Sequence, residues 1–200
     1  GCHRFPGGTS VAGTFEDGGA SGEGGKRWEG GCVYTGTLRR NRIDTSGTLE
    51  WPDGRRYVGH FEDDAMHGRG TLVWSDGAGA CTYRGEFRGN TFNGRGVLEW
   101  SSGACFEGAF RDGLYHGDGK FEWPGKQTVY NGSWVEGEMC GEGKLMHRSS
   151  GTAAGGAADE EEEEGGSSYI YVGSFRHGHM EGRGQVTFYF PSAGEDEYRG

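Results

Sequence analysis

The sequence predicts an all-β protein, built as an elongated, single-sheet antiparallel meander of β-hairpin repeats. Three observations carry this prediction. Glycine contributes 44 of the 200 residues, aromatic residues make up 13% of a chain that is only 32% hydrophobic, and glycine and aromatic residues recur at fixed spacing. Disordered chains of similar polarity are poor in aromatic residues. The combination therefore indicates a regular backbone with a thin, aromatic core made by internal repeats.

The repeat is defined by columns of glycine and aromatic residues. Counting from Tyr57 as step 0, Gly59 lies at step 2, Phe61 at step 4, Gly70 at step 13 and Trp74 at step 17. Steps 2 and 13 are glycine in all seven copies, and the basic period is 23 residues, as from Tyr34 to Tyr57. The copies start at Val11, Tyr34, Tyr57, Tyr83, Phe106, Tyr130 and Tyr171.

The column spacing predicts a hairpin in each repeat. Steps 0, 2 and 4 share one face of a strand, and steps 13, 15 and 17 share one face of a second strand, because side chains alternate along a strand. Pairs such as Asp112-Gly113 at steps 6 and 7 supply the positive φ angles of tight turns. A second turn follows step 17, as in Trp51-Pro52-Asp53-Gly54. Successive hairpins are therefore expected to pair edge to edge.

The two faces of this sheet differ. Glycine normally weakens a strand, and here we expect it to leave room for an aromatic ring to lie flat over the backbone. Burial of each ring contributes about 1.5–3 kcal/mol. The opposite face is polar and carries cross-strand charge pairs, as the stretches Arg84, Glu86, Arg88 and Asp118, Lys120, Glu122 show.

The repeat resembles the MORN family. The residues that carry the resemblance are Tyr57-Val58-Gly59-His60-Phe61, then His67-Gly68-Arg69-Gly70-Thr71-Leu72-Val73-Trp74, then Asp76-Gly77. It covers residues 11 to about 190 apart from one insert. The resemblance implies a module like those of junction, flagellar and cytoskeletal proteins, or like those that precede the catalytic domains of plant phosphatidylinositol phosphate kinases and a histone methyltransferase. Local departures are Thr45 at step 11, Lys26 at step 15 and His147 at step 17.

Five segments are expected along the chain. Residues 1–10 form the tail of a truncated preceding repeat, 11–147 hold repeats one to six, 148–168 form a disordered acidic Gly/Ser/Glu loop, 169–190 form repeat seven, and 191–200 begin a truncated further repeat. Because both ends fall inside repeats, we expect the chain to be a fragment. The acidic loop is interpreted as a solvated spacer, with recruitment of a basic partner as the alternative.

Charge and cysteine content narrow the function. The formal net charge of −10 argues against a nucleic-acid partner, because nucleic-acid-binding proteins neutralise phosphates with Lys and Arg. Five irregularly spaced cysteines, with no signal peptide or membrane-spanning apolar segment, indicate a reducing intracellular compartment. We therefore expect a cytoplasmic protein, with the membrane periphery, cytoskeleton or flagellum as alternative locations.

The sequence predicts no cofactor, metal site or catalytic residue. His67 and His116 share a step but lie four strand spacings apart, about 19 Å, and therefore cannot hold one ion. His177 and His179 flank a turn glycine and offer at most a weak site. We predict a non-enzymatic chain, and a catalytic domain outside these residues is compatible with that prediction.

Two functional hypotheses follow. The first is a binding or scaffolding module for a partner peptide or helix, whose groove aromatics would be Tyr57, Phe61, Trp74, Tyr83, Phe87 and Trp100. The second is a phosphoinositide- or membrane-targeting module, alone or as the regulatory region of a larger enzyme. Its anionic-lipid contacts would be Arg39, Arg40 and Arg42, which cluster at one predicted hairpin turn.

Overall fold

A computed structural model describes residues 1–149 and 168–189. The described residues form one antiparallel sheet of fifteen strands, each paired only with its neighbours in chain order. This confirms the predicted all-β, single-sheet meander. The strands are β1 Cys2–Arg4, β2 Ser10–Glu16, β3 Gly19–Arg27, β4 Val33–Arg39, β5 Arg42–Glu50, β6 Arg56–Glu62, β7 Ala65–Ser75, β8 Ala80–Arg88, β9 Thr91–Trp100, β10 Cys105–Arg111, β11 Leu114–Glu122, β12 Thr128–Val135, β13 Glu138–His147, β14 Ser168–Arg176 and β15 His179–Tyr189, with one 3-10 turn, Pro124–Lys126, before β12.

The register places the glycine columns side by side. Within the repeat that starts at Tyr83, Gly85 lies opposite Gly96 and Tyr83 lies opposite Leu98. Between repeats, Gly96 lies opposite Gly108 of the next strand. Glycine pairs therefore form a continuous row across the sheet. The rings at step 0 and the apolar residues at step 15 line the same face.

A β-bulge in the second strand of each hairpin explains the glycine at step 11. Between β8 and β9, the pairing shifts from Gly85↔Gly96 to Phe87↔Phe92, so that three residues of β9 face a single residue of β8. Gly94 lies inside this bulge with a φ of 74°. Glycine adopts such angles without a steric penalty. Step 11 is therefore glycine because of backbone conformation and not because of ring packing.

Thr45 occupies step 11 of the second repeat with a φ of 62°. Non-glycine residues in this region cost about 1–3 kcal/mol, and β-branched residues are genuine outliers there. We expect Thr45→Gly to raise the free energy of unfolding by about 1 kcal/mol, because the relief of strain exceeds the roughly 0.5–1 kcal/mol that glycine loses in backbone entropy. Urea unfolding followed by tryptophan fluorescence measures the change.

The matched control is Thr48→Gly on the same strand. Thr48 lies opposite Thr35 and Val58 in regular pairing and does not have a positive φ. The substitution removes a side chain without relieving strain, and a loss of about 0.5–1 kcal/mol is expected. Equal effects of the two substitutions would show that the φ of Thr45 stores no strain.

The step 0 tyrosine lies over the glycine pair of its own hairpin. A Cβ atom added to Gly96 would lie 2.5 Å from Tyr83 Oη and 2.6 Å from Tyr83 Cε2, and one added to Gly85 would meet the same ring at 2.5–2.6 Å. The hydroxyl of Tyr83 donates a hydrogen bond of 3.0 Å to the Glu86 carbonyl at step 3. Four other tyrosines donate to the equivalent carbonyl, namely Tyr34, Tyr57, Tyr130 and Tyr171.

The core is a continuous ladder of edge-to-face rings. Tyr83 packs on Phe87 of its own repeat at 5.1 Å between centroids and on Phe110 of the next repeat at 5.0 Å. Each such pair contributes about 0.5–1.5 kcal/mol beyond the burial of its area. Contacts within and between repeats alternate, so the ladder joins each repeat from Tyr34 onward to the next. Its members are Tyr34, Phe61, Tyr57, Phe87, Tyr83, Phe110, Phe106, Trp134, Tyr130, Phe175 and Tyr171.

A second apolar column, at step 9, flanks this ladder and was not predicted. Phe92 stacks on Tyr83 with ring centroids 3.8 Å apart, and Tyr115 stacks on Phe106 at 3.9 Å. The column holds residues of different size, and it therefore shows no fixed residue type in the sequence. Its members are Ala20, Ile43, Met66, Phe92, Tyr115, Met139 and Met180.

The hairpin turns connect successive repeats. The Asn90 side-chain Oδ1 accepts a hydrogen bond of 2.8 Å from the Met66 N–H of the preceding repeat, and the Asn90 N–H donates to the Met66 carbonyl at 3.0 Å. Asn41 and Asp64 make the same exchange with Ala20 and Ile43. Three turns with glycine at this step keep the backbone bond, those of Gly113, Gly137 and Gly178.

Burial of the tyrosines predicts alkaline unfolding. Burial raises the pKa of Tyr34, Tyr57 and Tyr130 to about 12, and all three side chains are fully buried. In the unfolded chain a tyrosine ionises near pH 10. Below that pH, the contribution of each buried tyrosine to the free energy of unfolding is therefore fully present. Above it, each tyrosine lowers the free energy of unfolding by about 1.4 kcal/mol per pH unit until its folded pKa is reached.

Absorbance of tyrosinate and far-ultraviolet circular dichroism, recorded along one titration, test this expectation. Ionisation of the buried tyrosines should coincide with loss of strand signal between pH 10 and 12. Complete ionisation near pH 10 with the sheet intact would contradict the structure.

Strand pairing continues before the first full repeat. β1 pairs with β2 through Cys2↔Ala12, and the Gly13 N–H donates to the Gly1 carbonyl at 3.0 Å. At the insert, one boundary requires correction. The predicted acidic loop includes Ser168, but this residue begins β14 and lies opposite Tyr189, because strand pairing extends one residue further than the repeat pattern. The rest of the predicted loop beyond 149, together with the predicted repeat start at 191–200, lies outside the described residues.

Candidate functional site

Four of the six predicted groove aromatics belong to the core. The side chains of Tyr57 and Tyr83 are 0% exposed, and those of Phe61 and Phe87 are 3% exposed. Each is covered by rings of its own and the adjacent repeat. They hold the sheet together and offer no surface to a partner, which corrects the prediction for these four residues.

Trp74 and Trp100 differ from them, because both are only partly buried while packing against the core. They belong to the step 17 column, which lies at the end of the second strand of each hairpin, next to the turn between repeats. Tryptophan occupies this step in five successive repeats. We call these five the tryptophan row: Trp28, Trp51, Trp74, Trp100 and Trp123.

Strand pairing sets the spacing of the tryptophan row. Trp74 lies opposite Cys81 on one side, and Cys81 lies opposite Trp100 on the other. Successive tryptophans are therefore two strands apart, which corresponds to about 9.6 Å for strands 4.8 Å apart. Trp28, Trp51 and Trp100 also anchor the turns that follow them, because their backbone N–H groups donate to the backbone carbonyls of Cys32, Arg55 and Ala104, respectively.

Cationic side chains cover the first two members of the row. The Lys26 ammonium lies 5.0 Å from the ring centroid of Trp28, and the Arg55 guanidinium lies 5.0 Å from that of Trp51. Such contacts contribute about 0.5–1 kcal/mol at exposed sites. No described cation lies over the rings of Trp74, Trp100 or Trp123.

The residues beside these last three tryptophans are uncharged. Leu72, Leu98 and Phe121 occupy step 15, and Cys81, Ala104 and Thr128 occupy the position two residues before step 0 of the following repeat. Together with Trp74, Trp100 and Trp123 we call them the apolar strip. The Trp100 ring lies 5.8 Å from that of Phe121, and the Phe121 ring lies 4.6 Å from that of Trp123.

Asp76 borders the apolar strip but is engaged in its own turn. It accepts hydrogen bonds from the N–H groups of Ala78 and Gly79 at 2.9 and 3.0 Å, and from the Cys81 thiol at 3.3 Å. The Cys81 thiol and these backbone donors lower the pKa of Asp76. Burial raises the pKa of Cys81, so its thiol stays protonated and is a structural donor, not a nucleophile.

The three predicted lipid-binding arginines lie at the opposite edge of the sheet, at the turn between β4 and β5. Arg39 Nε lies 2.7 Å from Asp44 Oδ2, and Arg42 Nη1 lies 2.9 Å from Asp63 Oδ1. Arg40 occupies the turn itself with a φ of 48°. Two of the three positive charges are therefore paired with carboxylates of their own or the next repeat.

Histidines and acidic residues do not assemble into a metal centre in the described part of the chain. No group of three or more His, Cys, Asp or Glu side chains converges there. His67 Nδ1 faces Glu62 at 3.2 Å, and His177 Nδ1 faces Glu138 at 3.0 Å. Among the described residues, no helix is long and apolar enough to cross a membrane.

An array of hairpins in one continuous sheet, held by rings that lie over glycine pairs, defines a single-sheet repeat module. The model of the MORN repeat family matches six segments that cover more than half of the chain, and the chain therefore belongs to that family. The MORN repeat is a non-catalytic module. The matched segments are residues 34–55, 57–79, 83–105, 106–128, 130–152 and 171–189.

The comparisons add two further findings. The hairpin that starts at Val11 has the same register as the others but lies outside the matched segments. It departs from the other repeats at two core steps, with Val11 at step 0 and Lys26 at step 15. A search of curated proteins found no match to this chain.

Proposed function

We propose that this chain is a binding module that recognises a partner protein through the tryptophan row. One observation carries the proposal. Five successive repeats present a half-buried tryptophan at the same edge of the apolar face, while the step 0 and step 4 residues of the last four of these repeats are buried in the core. Tryptophan is enriched among residues that dominate binding energy at protein interfaces.

The architecture supports a scaffolding role for the same surface. Each repeat adds two strands and one tryptophan, and the array grows in one direction because strands pair only with their chain neighbours. Repeat arrays of this kind present extended binding surfaces. A partner would contact several repeats at once, and a single substitution in the row would remove only part of the contact.

Site-specific photocrosslinking tests this proposal. A photoreactive phenylalanine derivative replaces Trp100 in the full protein, and in a second variant it replaces Val172, which is 53% exposed on the polar face. After irradiation in the native cells, we expect a discrete crosslinked protein from position 100 and none from position 172. Crosslinking to the same proteins from both positions, or from neither, would refute binding through the row.

Membrane targeting through Arg39, Arg40 and Arg42 is the second candidate, and the exposed position of the three side chains at one turn supports it. An arginine near an anionic membrane contributes about 1 kcal/mol, but Asp44 and Asp63 already neutralise two of the three. Sedimentation of the protein with phosphoinositide vesicles tests this candidate function. If these arginines bind lipid, the protein sediments with the vesicles and its variant with all three arginines replaced by glutamate does not.

A further inference from the structure

We infer that the ligand of the apolar strip is an uncharged polyproline II segment with an apolar residue, preferably proline, at every third position. This inference rests on the proposed function, since it names the class of segment that a partner would insert beside the tryptophan row. Three observations support it: the spacing of the tryptophans, the absence of charged side chains between them, and indole N–H groups that donate to no acceptor in the described part of the chain.

The spacing of the tryptophan row matches the polyproline II repeat. Trp74, Trp100 and Trp123 follow one another at two strand spacings, about 9.6 Å. A polyproline II helix has three residues per turn and rises about 3.1 Å per residue, so that equivalent side chains recur every 9.3 Å or so. Across the two intervals from Trp74 to Trp123 the accumulated mismatch is only about 0.6 Å.

Other regular ligands fit the row less well. Side chains on one face of an extended strand recur about every 6.6–6.8 Å, and every second one recurs near 13 Å, so neither interval matches. In an α-helix, residues seven apart recur at about 10.5 Å, which accumulates a mismatch near 2 Å over the same two intervals. A ring contact tolerates less than this, because dispersion attraction falls steeply over an ångström.

The charge of the apolar strip selects an uncharged ligand. Leu72, Leu98 and Phe121 precede the tryptophans by two residues, and Cys81, Ala104 and Thr128 lie opposite the tryptophans. Cys81, Leu98 and Ala104 are buried, so a ligand would contact the three indole rings together with Leu72, Phe121 and Thr128. A carboxylate or ammonium placed there would lose its hydration and find no opposite charge among these side chains, which costs several kcal/mol. The Asp76 carboxylate at the rim already accepts three hydrogen bonds.

The indole N–H groups supply the polar complement. Within the described part of the chain, those of Trp74, Trp100 and Trp123 donate to no protein acceptor, whereas the indole of Trp134 in the core donates to the Gly119 carbonyl at 3.1 Å. None of these donors is a buried, unsatisfied atom, so they remain accessible from solvent. A polyproline II backbone makes no internal hydrogen bonds, and its carbonyls are therefore available to accept from them.

The test uses two synthetic peptides of identical, uncharged composition with blocked ends. One carries proline at every third position over nine residues, and the other carries the same prolines consecutively, which removes the match to the row. Isothermal titration calorimetry with the full chain should show binding of the first peptide, and about tenfold weaker binding of the second, which corresponds to about 1.4 kcal/mol. Equal affinities for both peptides, or none for the first, would overturn the inference.

A substitution in the row is compared with one on the polar face. Trp100→Ala should weaken binding of the spaced peptide about tenfold, the effect typical of a central interface tryptophan. The control is Val172→Ala on the polar face, where the side chain is 53% exposed, and it should change the affinity less than about twofold. If Trp100→Ala does not fold, Trp100→Phe keeps a ring, removes the indole N–H, and should still weaken binding at least about threefold. Unchanged affinity in the folded variant contradicts the assignment.

A third peptide separates failure of this inference from failure of the proposed function. It is helix-forming and carries leucine at positions seven apart. If this peptide binds in a Trp100-dependent manner and the spaced proline peptide does not, the polyproline II assignment is wrong and the tryptophan row remains a protein-binding surface. If no peptide binds but the crosslink at position 100 is found, the polyproline II assignment is likewise wrong, and the tryptophan row remains a protein-binding surface.

Discussion

Phe87→Ala is expected to lower the free energy of unfolding by about 3–5 kcal/mol, the range measured for removal of a buried phenylalanine. Phe87 is 3% exposed and packs edge to face on Tyr57 at 4.9 Å and on Tyr83 at 5.1 Å. It therefore contacts the rings of two successive repeats, and its loss leaves a cavity between them. Stability of repeat arrays depends on contacts between neighbours, so the array should become weakest between β7 and β8.

Urea unfolding measures the loss, and limited proteolysis locates it. Cleavage is expected to begin between the two repeats that Phe87 joins. The matched control is Phe188→Ala, since Phe188 is the same residue type but 57% exposed, and a change below about 1 kcal/mol is expected there. A comparable loss in the two variants would show that the ring ladder does not carry the stability of the array.

Gly96→Ala is expected to destabilise the sheet by about 3 kcal/mol, at the upper end of the usual range for overpacking. The added Cβ would lie 2.5 Å from Tyr83 Oη and 2.6 Å from Cε2. Tyr83 cannot move away, because Phe92 stacks on it at 3.8 Å and Phe110 packs edge-on at 5.0 Å. Gly96 does not have a positive φ, so the effect is caused by contact with the ring alone.

The control is Gly30→Ala in the turn before β4. Gly30 likewise does not have a positive φ, and a Cβ there would meet nothing within 4 Å. The substitution should leave stability unchanged or raise it by up to about 1 kcal/mol, because alanine restricts the unfolded chain. A second variant, Gly96→Ala with Tyr83→Leu, should recover part of the loss if the ring is the obstacle. Failure to recover any stability would place the obstacle elsewhere.

The glycine and aromatic columns make most of the fold predictable. Alternation of steps 0, 2 and 4 requires a strand, and paired turn residues at steps 6 and 7 require a tight hairpin, whichever protein contains them. The apolar column at step 9 could not be predicted from the sequence, because its members, such as Ala20, Phe92 and Met139, share only apolar character. The bulge at step 11 could not be predicted either, because side-chain alternation alone predicts regular pairing. The sequence does not show that Gly94 adopts a φ of 74°.

The candidate site was only partly predictable, because exposure depends on what covers each ring. Tyr83 and Trp100 are both aromatic residues at fixed steps of the same repeat, and the sequence does not indicate that one is buried and the other partly exposed. In the sheet, Phe87 and Phe110 close over Tyr83, whereas Trp100 lies at the strand end, opposite the small side chain of Cys81. Small neighbours cannot cover an indole ring.

The sequence alone determines that this chain is an array of hairpins, because side-chain alternation and the need for glycine at tight turns act within each repeat and depend on no distant contact. Only the tertiary structure decides which aromatic rings remain available. Burial is a property of the whole stack, in which each repeat covers the step 0 ring of the one before it and leaves the tryptophan at step 17 partly open. The surface proposed for binding is therefore what remains after the repeats have packed against one another.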